Sequence, residues 1–158
     1  MIFGLANLKK IGNNRKTLIE ILIIYTLFIL GLTLLFREET NGEHLQLELF
    51  WSYKVFKKEG WQIICNVFLF VPFGVLLRVL DVNTWLVLLM GFAFSCSIEL
   101  LQYLLKIGLC ELDDVFHNTL GTLIGLFIGE LVQKKSLRQI VLEVIDEYRG
   151  WNYDNKHK

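Results

Sequence analysis

Four tracts of about twenty residues, nearly free of charge, constrain this chain more than anything else in its sequence; they cover 17–36, 61–80, 84–104 and 115–132. A hydrocarbon core of roughly 30 Å takes about 20 apolar helical residues to cross, and each tract meets that length. A spanning segment must satisfy its own backbone polar groups, which a helix does and a single strand does not. The expectation is therefore an all-α integral membrane protein with four transmembrane helices. Composition agrees, since 54% of the 158 residues are hydrophobic while the 20% that are charged collect at 9–16, 37–59, 106–114 and 130–158. A formal net charge of zero supplies no field for nucleic acid, so no nucleic-acid partner is expected.

The first tract is too long for a cleaved leader and lacks a small-residue cleavage site, so it is expected to stay as an anchor. If the N-terminus is cytoplasmic, the inner segments hold eleven of the sixteen Lys and Arg residues and the outer segments hold five. That division predicts both termini inside. It makes 1–16 a cytoplasmic N-terminus, 17–133 a membrane domain and 134–158 a cytoplasmic tail. Leu137, Ile140, Val141, Val144, Ile145, Tyr148 and Trp151 recur in that tail at helical spacing, which predicts an amphipathic helix on the inner surface. The outer segment 37–60 is rich in Leu, Phe, Trp and Tyr, so it should lie at the membrane interface or fold back on the bundle. Asp81, Val82 and Asn83 form a tight turn that makes spans two and three antiparallel neighbours.

This topology brings polar residues to one depth. Asn66, Glu99, Gln102, Asp113, Asp114 and Asn118 all fall at the outer ends of spans two, three and four, whereas span one carries only Glu20 and is expected to be least involved. An acid within a span costs about 2.5–3.5 kcal/mol on insertion scales, so Glu99 needs compensation. It is either a ligand-binding or acid/base carboxylate, or a polar tie between helices. Asp113 and Asp114 stand where a helix start takes a cap and a first-turn acid, and two acids exceed what capping requires. His117 lies four residues after Asp113, but no second His or Cys stands at ligand spacing, so no metal or cofactor is expected. Cys65, Cys96 and Cys110 have neither ligand nor redox spacing. Gly121, Gly125 and Gly129 form a small-residue ridge for close helix packing, and Gly74 joins them as a packing residue. Pro72 should kink span two and free a carbonyl that needs another partner. Arg78 is placed to reach the inner surface.

Three runs together resemble the VanZ-like family of bacterial membrane proteins. They are Asn66 through Phe70 and Pro72 to Gly74, then Ser97-Ile98-Glu99 to Gln102, then Gly108 through Asp113-Asp114 to Asn118 and Gly121. The resemblance covers roughly residues 45–130. It implies a bacterial cell membrane, and the family's namesake raises resistance to the glycopeptide teicoplanin without converting the peptidoglycan precursor to a depsipeptide. Many members carry an Arg directly after the glycine matching Gly108, where this chain has Leu109, so Lys106 or Lys58 would have to supply a cation near the acids.

The expected function is thus a VanZ-like membrane protein whose outer polar cluster binds a headgroup, with Phe68, Phe70, Phe73 and Tyr103 as apolar walls. Its partners would be membrane lipids and a cell-wall lipid precursor or glycopeptide. Two alternatives stay open: an intramembrane enzyme using Glu99, Asp113 or Asp114 as general base, and a structural partner of envelope machinery. The sequence contains no H-E-x-x-H, G-x-S-x-G or Walker motif.

Overall fold

The computed structural model describes residues 2–35, 37 and 45–156, with the side chains of 2–14, 57–59 and 136–156 outside that description. Helix α1 (Ile2–Leu30) widens into π-type turns at Gly31–Leu35 and is followed by strand β1 (Leu45–Gln46) and a one-turn helix α2 (Trp51–Lys54). Helices α3 (Phe56–Val79) and α4 (Thr84–Leu105), strand β2 (Cys110–Glu111) and helix α5 (Leu112–Lys156) complete the chain. Among the described residues, four stretches are long and apolar enough to cross a membrane: Arg15–Leu35, Gly60–Val79, Thr84–Leu105 and Leu112–Lys135. They match the four expected spans to within a few residues, and the protein is an all-α membrane protein. Among the described residues, a parallel β pairing sets Leu45 opposite Cys110 and Gln46 opposite Glu111.

The centre of the bundle is the seam between α3 and α5, which run parallel. A Cβ on Gly121 would stand 2.2 Å from the Val67 carbonyl oxygen, and one on Gly125 would stand 2.0 Å from that of Val71. A Cβ on Gly129 would meet Arg78 Cβ at 2.7 Å, and one on Gly74 would meet the Thr122 carbonyl oxygen at 2.3 Å. Backbone therefore packs on backbone along the whole seam, an approach that only hydrogen side chains allow. Helix α4 closes on the same pair through Gly91, whose Cβ would lie 2.4 Å from Thr122 Oγ1. Phe70, Phe73, Leu77, Val87, Ile98 and Leu126 fill the space between, with Ile29 of α1 joining them. Large apolar groups such as Trp61, Trp85 and Phe127 point outward, as suits a chain whose solvent at that depth is hydrocarbon.

Pro72 lies inside α3, which continues through it. Tyr25 of α1 donates its hydroxyl to the Leu69 carbonyl at 2.9 Å, one residue beyond the Phe68 carbonyl that Pro72 deprives of its helical donor. Beyond Val79 the chain turns through Asp81, held at a positive φ of 63°, and Asn83 caps α4 by accepting from the Trp85 N–H at 3.0 Å. Arg78 does more than reach for the surface. It pairs with Glu130 of α5 at 3.3 Å, and Gln133 donates to the Arg78 carbonyl and to Asp81, so this end of the seam is clipped by polar contacts.

Two expected boundaries are not breaks in the backbone. Helix α5 runs unbroken for 45 residues from Leu112 to Lys156, about 68 Å at 1.5 Å per residue, so span four and the tail form one helix. The tail's apolar stripe falls on side chains outside the described residues, as do the side chains of 2–14, where α1 is already helical from Ile2.

Candidate functional site

Asn66, Glu99, Gln102, Asp113, Asp114 and Asn118 all lie at the end of the bundle opposite Arg78. Glu99, Gln102, Asp113, Asp114 and Asn118 are each at most 4% exposed, and Asn66 is 7% exposed. The segment 45–56 folds over this end, so of the two expected arrangements for the outer loop it adopts the folded-back one. Residues 38–44 lie outside the described residues.

Asp113 holds that lid. Its Oδ1 accepts from the Phe50 N–H at 2.5 Å, and its Oδ2 accepts from the Ser52 N–H at 3.0 Å and from the Ser52 hydroxyl. The carboxylate thus caps α2 from another helix, where the expectation was a cap for its own. Phe50 pays for this with a left-handed backbone at φ 64°, a conformation that costs a non-glycine residue about 1–2 kcal/mol. Its ring offsets part of that cost by edge contact with Phe116 at 5.5 Å. Two further ties secure the lid: Trp51 Nε1 donates to Glu111 at 2.9 Å, and the Tyr53 hydroxyl bonds His117 Nε2 at 3.0 Å.

Asp114 faces a different set. Its Oδ2 pairs with Arg37 Nη2 at 3.4 Å and accepts from Gln62 Nε2 at 3.3 Å. Arg37 is the residue that the sequence reading missed. The cation beside the acids comes from the end of span one, 77 residues away in the chain, while Lys106 is an exposed helix cap and the Lys58 side chain lies outside the described residues. Gly108 makes room for it: the glycine sits at φ +65°, and a Cβ there would stand 3.3 Å from Arg37 Cδ. The charge of Arg37 was visible in the sequence as one of five outer cations, but nothing local marked it. Span one is therefore part of the site, and Gln102 Nε2 binds it again by donating to the Thr33 carbonyl of the π turns at 2.9 Å.

Glu99 accepts from the Glu111 backbone N–H at 2.8 Å, which ties α4 to the strand pairing that carries the lid. Asn118 donates through Nδ2 to Ser95 Oγ at 2.8 Å, so the polar face of α4 that carries Ser95, Glu99 and Gln102 reaches α5, β2 and the π turns in that order. Four buried polar atoms of this end have no partner among the described residues: Asn66 Nδ2, Gln102 Oε1, His117 Nδ1 and Asn118 Oδ1. Buried polar atoms in native proteins are nearly always paired with protein or ordered water, and these four lie at one end of the bundle. His117 belongs with the cluster although the sequence offered only its metal-like spacing. Among the described residues no group of three His, Cys, Asp or Glu side chains is arranged to hold a metal ion.

Of the expected apolar walls, Phe68 is exposed beside the site, Tyr103 is half-exposed on α4, and Phe70 and Phe73 are core residues packed against Phe94 at 5.8 and 5.3 Å. A cleft of about 420 Å³ opens between α1 and α3, bordered by Leu32, Arg37, Cys65, Asn66, Phe68 and Leu69. At the edge of the cluster, burial and the neighbouring acids Glu99, Asp114 and Glu111 push the Cys110 thiol above its ordinary range.

Fold and site together define a four-span helical membrane protein with a cluster of buried polar side chains at one end, partly covered by the segment 45–56. The VanZ/LLP1 family model matches residues 22–133, and the chain belongs to that family. Protein VanZ of Enterococcus faecium is 34% identical over 91 residues, which cover 52% of this chain and 55% of that protein. The chain thus matches only about half the length of that relative. No solved structure matches it.

Proposed function

We propose that the protein sits in the bacterial cell membrane with both termini in the cytoplasm and the polar cluster in the outer leaflet. There the cluster binds the polar headgroup of a cell-wall lipid precursor or a glycopeptide, and so contributes to teicoplanin-type resistance or to cell-envelope function. The observation that carries this reading is the set of four unpartnered buried polar atoms at one end of the bundle. The eleven-to-five division of basic residues supports the orientation. General-base chemistry gains least from Asp113, because both of its oxygens are occupied by Phe50 and Ser52.

Glu99→Gln keeps the side chain's size and an oxygen for the Glu111 N–H while removing the acid. Teicoplanin susceptibility of the variant strain is expected to match that of a deletion strain, at unchanged abundance in the membrane. Disappearance of the variant from the membrane would instead assign Glu99 to holding the bundle together.

The orientation has its own test. Cys110 lies between spans, so in a Cys65→Ser/Cys96→Ser background a membrane-impermeant maleimide should label it from outside intact cells. Because its thiol is shifted upward, less thiolate is present at neutral pH; labelling should be slower than for a free thiol and should accelerate as pH rises through the alkaline range. Labelling only after permeabilisation would reverse the orientation.

A further inference from the structure

The cleft between α1 and α3 differs chemically from the polar cluster beside it. Leu32, Phe68 and Leu69 give it apolar walls at membrane depth, and Phe68 is 70% exposed, so the cleft opens sideways toward lipid. Its polar end carries hydrogen-bond donors. The Arg37 guanidinium lines the cleft and engages Asp114 through Nη2, one of the several N–H donors its fork carries. Asn66 is 7% exposed, lines the cleft beside Asp114, and its Nδ2 makes no hydrogen bond of normal geometry among the described residues. The buried acids do not line the cleft: Glu99 accepts from the Glu111 N–H, Glu111 from Trp51, Asp113 from Phe50 and Ser52, and Asp114 from Gln62 and, behind the cleft wall, from Arg37. A volume near 420 Å³ falls within the range of pockets that hold small ligands. The π turns at Gly31–Leu35 place Leu32 on this cleft, and such turns recur at functional sites because they re-aim side chains that a regular helix would point elsewhere.

Donors above apolar walls fit an acceptor-rich anion on a hydrocarbon chain. We propose that the cleft takes a phosphate-bearing lipid from the surrounding leaflet, its phosphate held by the Arg37 guanidinium and Asn66 Nδ2 and its chain lying along Leu32, Phe68 and Leu69. A planar guanidinium with several N–H groups directed at one anion is the usual protein solution for phosphate. This deepens the proposed reading by naming a ligand chemistry and a route of entry, and rests on it only in taking the cluster end as the headgroup end.

Cys65 borders the cleft and is exposed, so it reports occupancy without any change to the binding groups. The full chain carrying Cys96→Ser and Cys110→Ser is reconstituted in phosphatidylcholine vesicles with increasing phosphatidic acid, and alkylation of Cys65 by N-ethylmaleimide is timed. Phosphatidic acid is expected to slow alkylation saturably. Arg37→Gln and Asn66→Leu should each move the midpoint about tenfold, the effect of one charge-assisted hydrogen bond. Lys54→Gln, an exposed cation at the same end, should leave it in place. Equal protection by phosphatidylcholine alone, an unmoved midpoint in both site variants, or an equal shift with Lys54→Gln would each overturn the proposal, the last by assigning the effect to surface charge. Protection by inorganic phosphate alone would overturn it too, since the site would then take a free anion. Should Arg37→Gln fail to reach the membrane, Asn66→Leu and the unsubstituted site still decide the matter. Saturable protection with unchanged teicoplanin susceptibility on deletion upholds the cleft and sinks the resistance assignment, and the converse result separates them the other way.

Discussion

Gly125→Val is expected to abolish the folded protein. A Cβ at this position would lie 2.0 Å from the Val71 carbonyl oxygen, 2.9 Å from the Val75 nitrogen and 3.0 Å from Gly74 Cα, so it meets main chain on every side. Side chains can rotate away from an intruding methyl group, but a helix backbone cannot. The cost must therefore exceed the roughly 1–3 kcal/mol of ordinary overpacking, because relief requires α3 and α5 to part along their length. Since α4 packs on the same pair through Gly91 and Thr122, separation propagates to the third helix. Size-exclusion profiles and thermal denaturation in detergent would register this as aggregation and loss of a cooperative transition. Gly31→Ala provides the contrast: a Cβ there meets nothing within 4 Å, and that variant should behave as the parent does. A well-folded Gly125→Val protein would mean that the seam is not the support of the bundle.

Asp113→Ala should release the lid while leaving the spans in place. Its carboxylate is the acceptor for the Phe50 N–H, the Ser52 N–H and the Ser52 hydroxyl, and Ser52 is 3% exposed. A buried donor left without an acceptor costs about 1–3 kcal/mol, and three donors lose theirs together, with shared geometry making the sum less than additive. Phe50 would also lose what holds its left-handed backbone. The Trp51 and Tyr53 ties then carry the lid alone, and trypsin should cut the solubilised protein at Lys54 far faster than in the parent. Asp113→Asn should fall between the two, because its amide oxygen still accepts while its NH₂ group confronts the Ser52 N–H. Asp114→Asn should leave cleavage at Lys54 unchanged, since none of its described contacts reaches α2. Unaltered proteolysis in Asp113→Ala would show that the lid is held by its aromatic contacts.

Several of these features were legible in the chain itself because they depend on spacing along one helix. Hydropathy windows locate the spans, since crossing a bilayer is a matter of length and of self-satisfied backbone. A glycine every fourth residue from Gly121 to Gly129 marks a contact face for the same reason, and Ser95, Glu99 and Gln102 share a face of α4 by helical period alone. Depth arguments across antiparallel spans then bring Asn66, Glu99, Asp114 and Asn118 to one end. What such reasoning could not supply was a pairing between distant residues. Arg37 is one charge among several in a loop, and its partnership with Asp114 follows from where α1 ends and from the space left by Gly108. Asp113 and Asp114 are neighbours of one kind in sequence, yet a rotation of about 100° between successive helical residues turns one toward the lid and the other toward α1 and α3. Likewise Phe68 and Phe70 are alike on paper, and only the packing of α3 sends one to the cleft and the other to the core. Length and helical period in the chain were enough for a four-span membrane protein and for the end at which its polar groups gather. Packing alone settled which acid is a strut and which faces a cation, because those depend on contacts that no local pattern encodes.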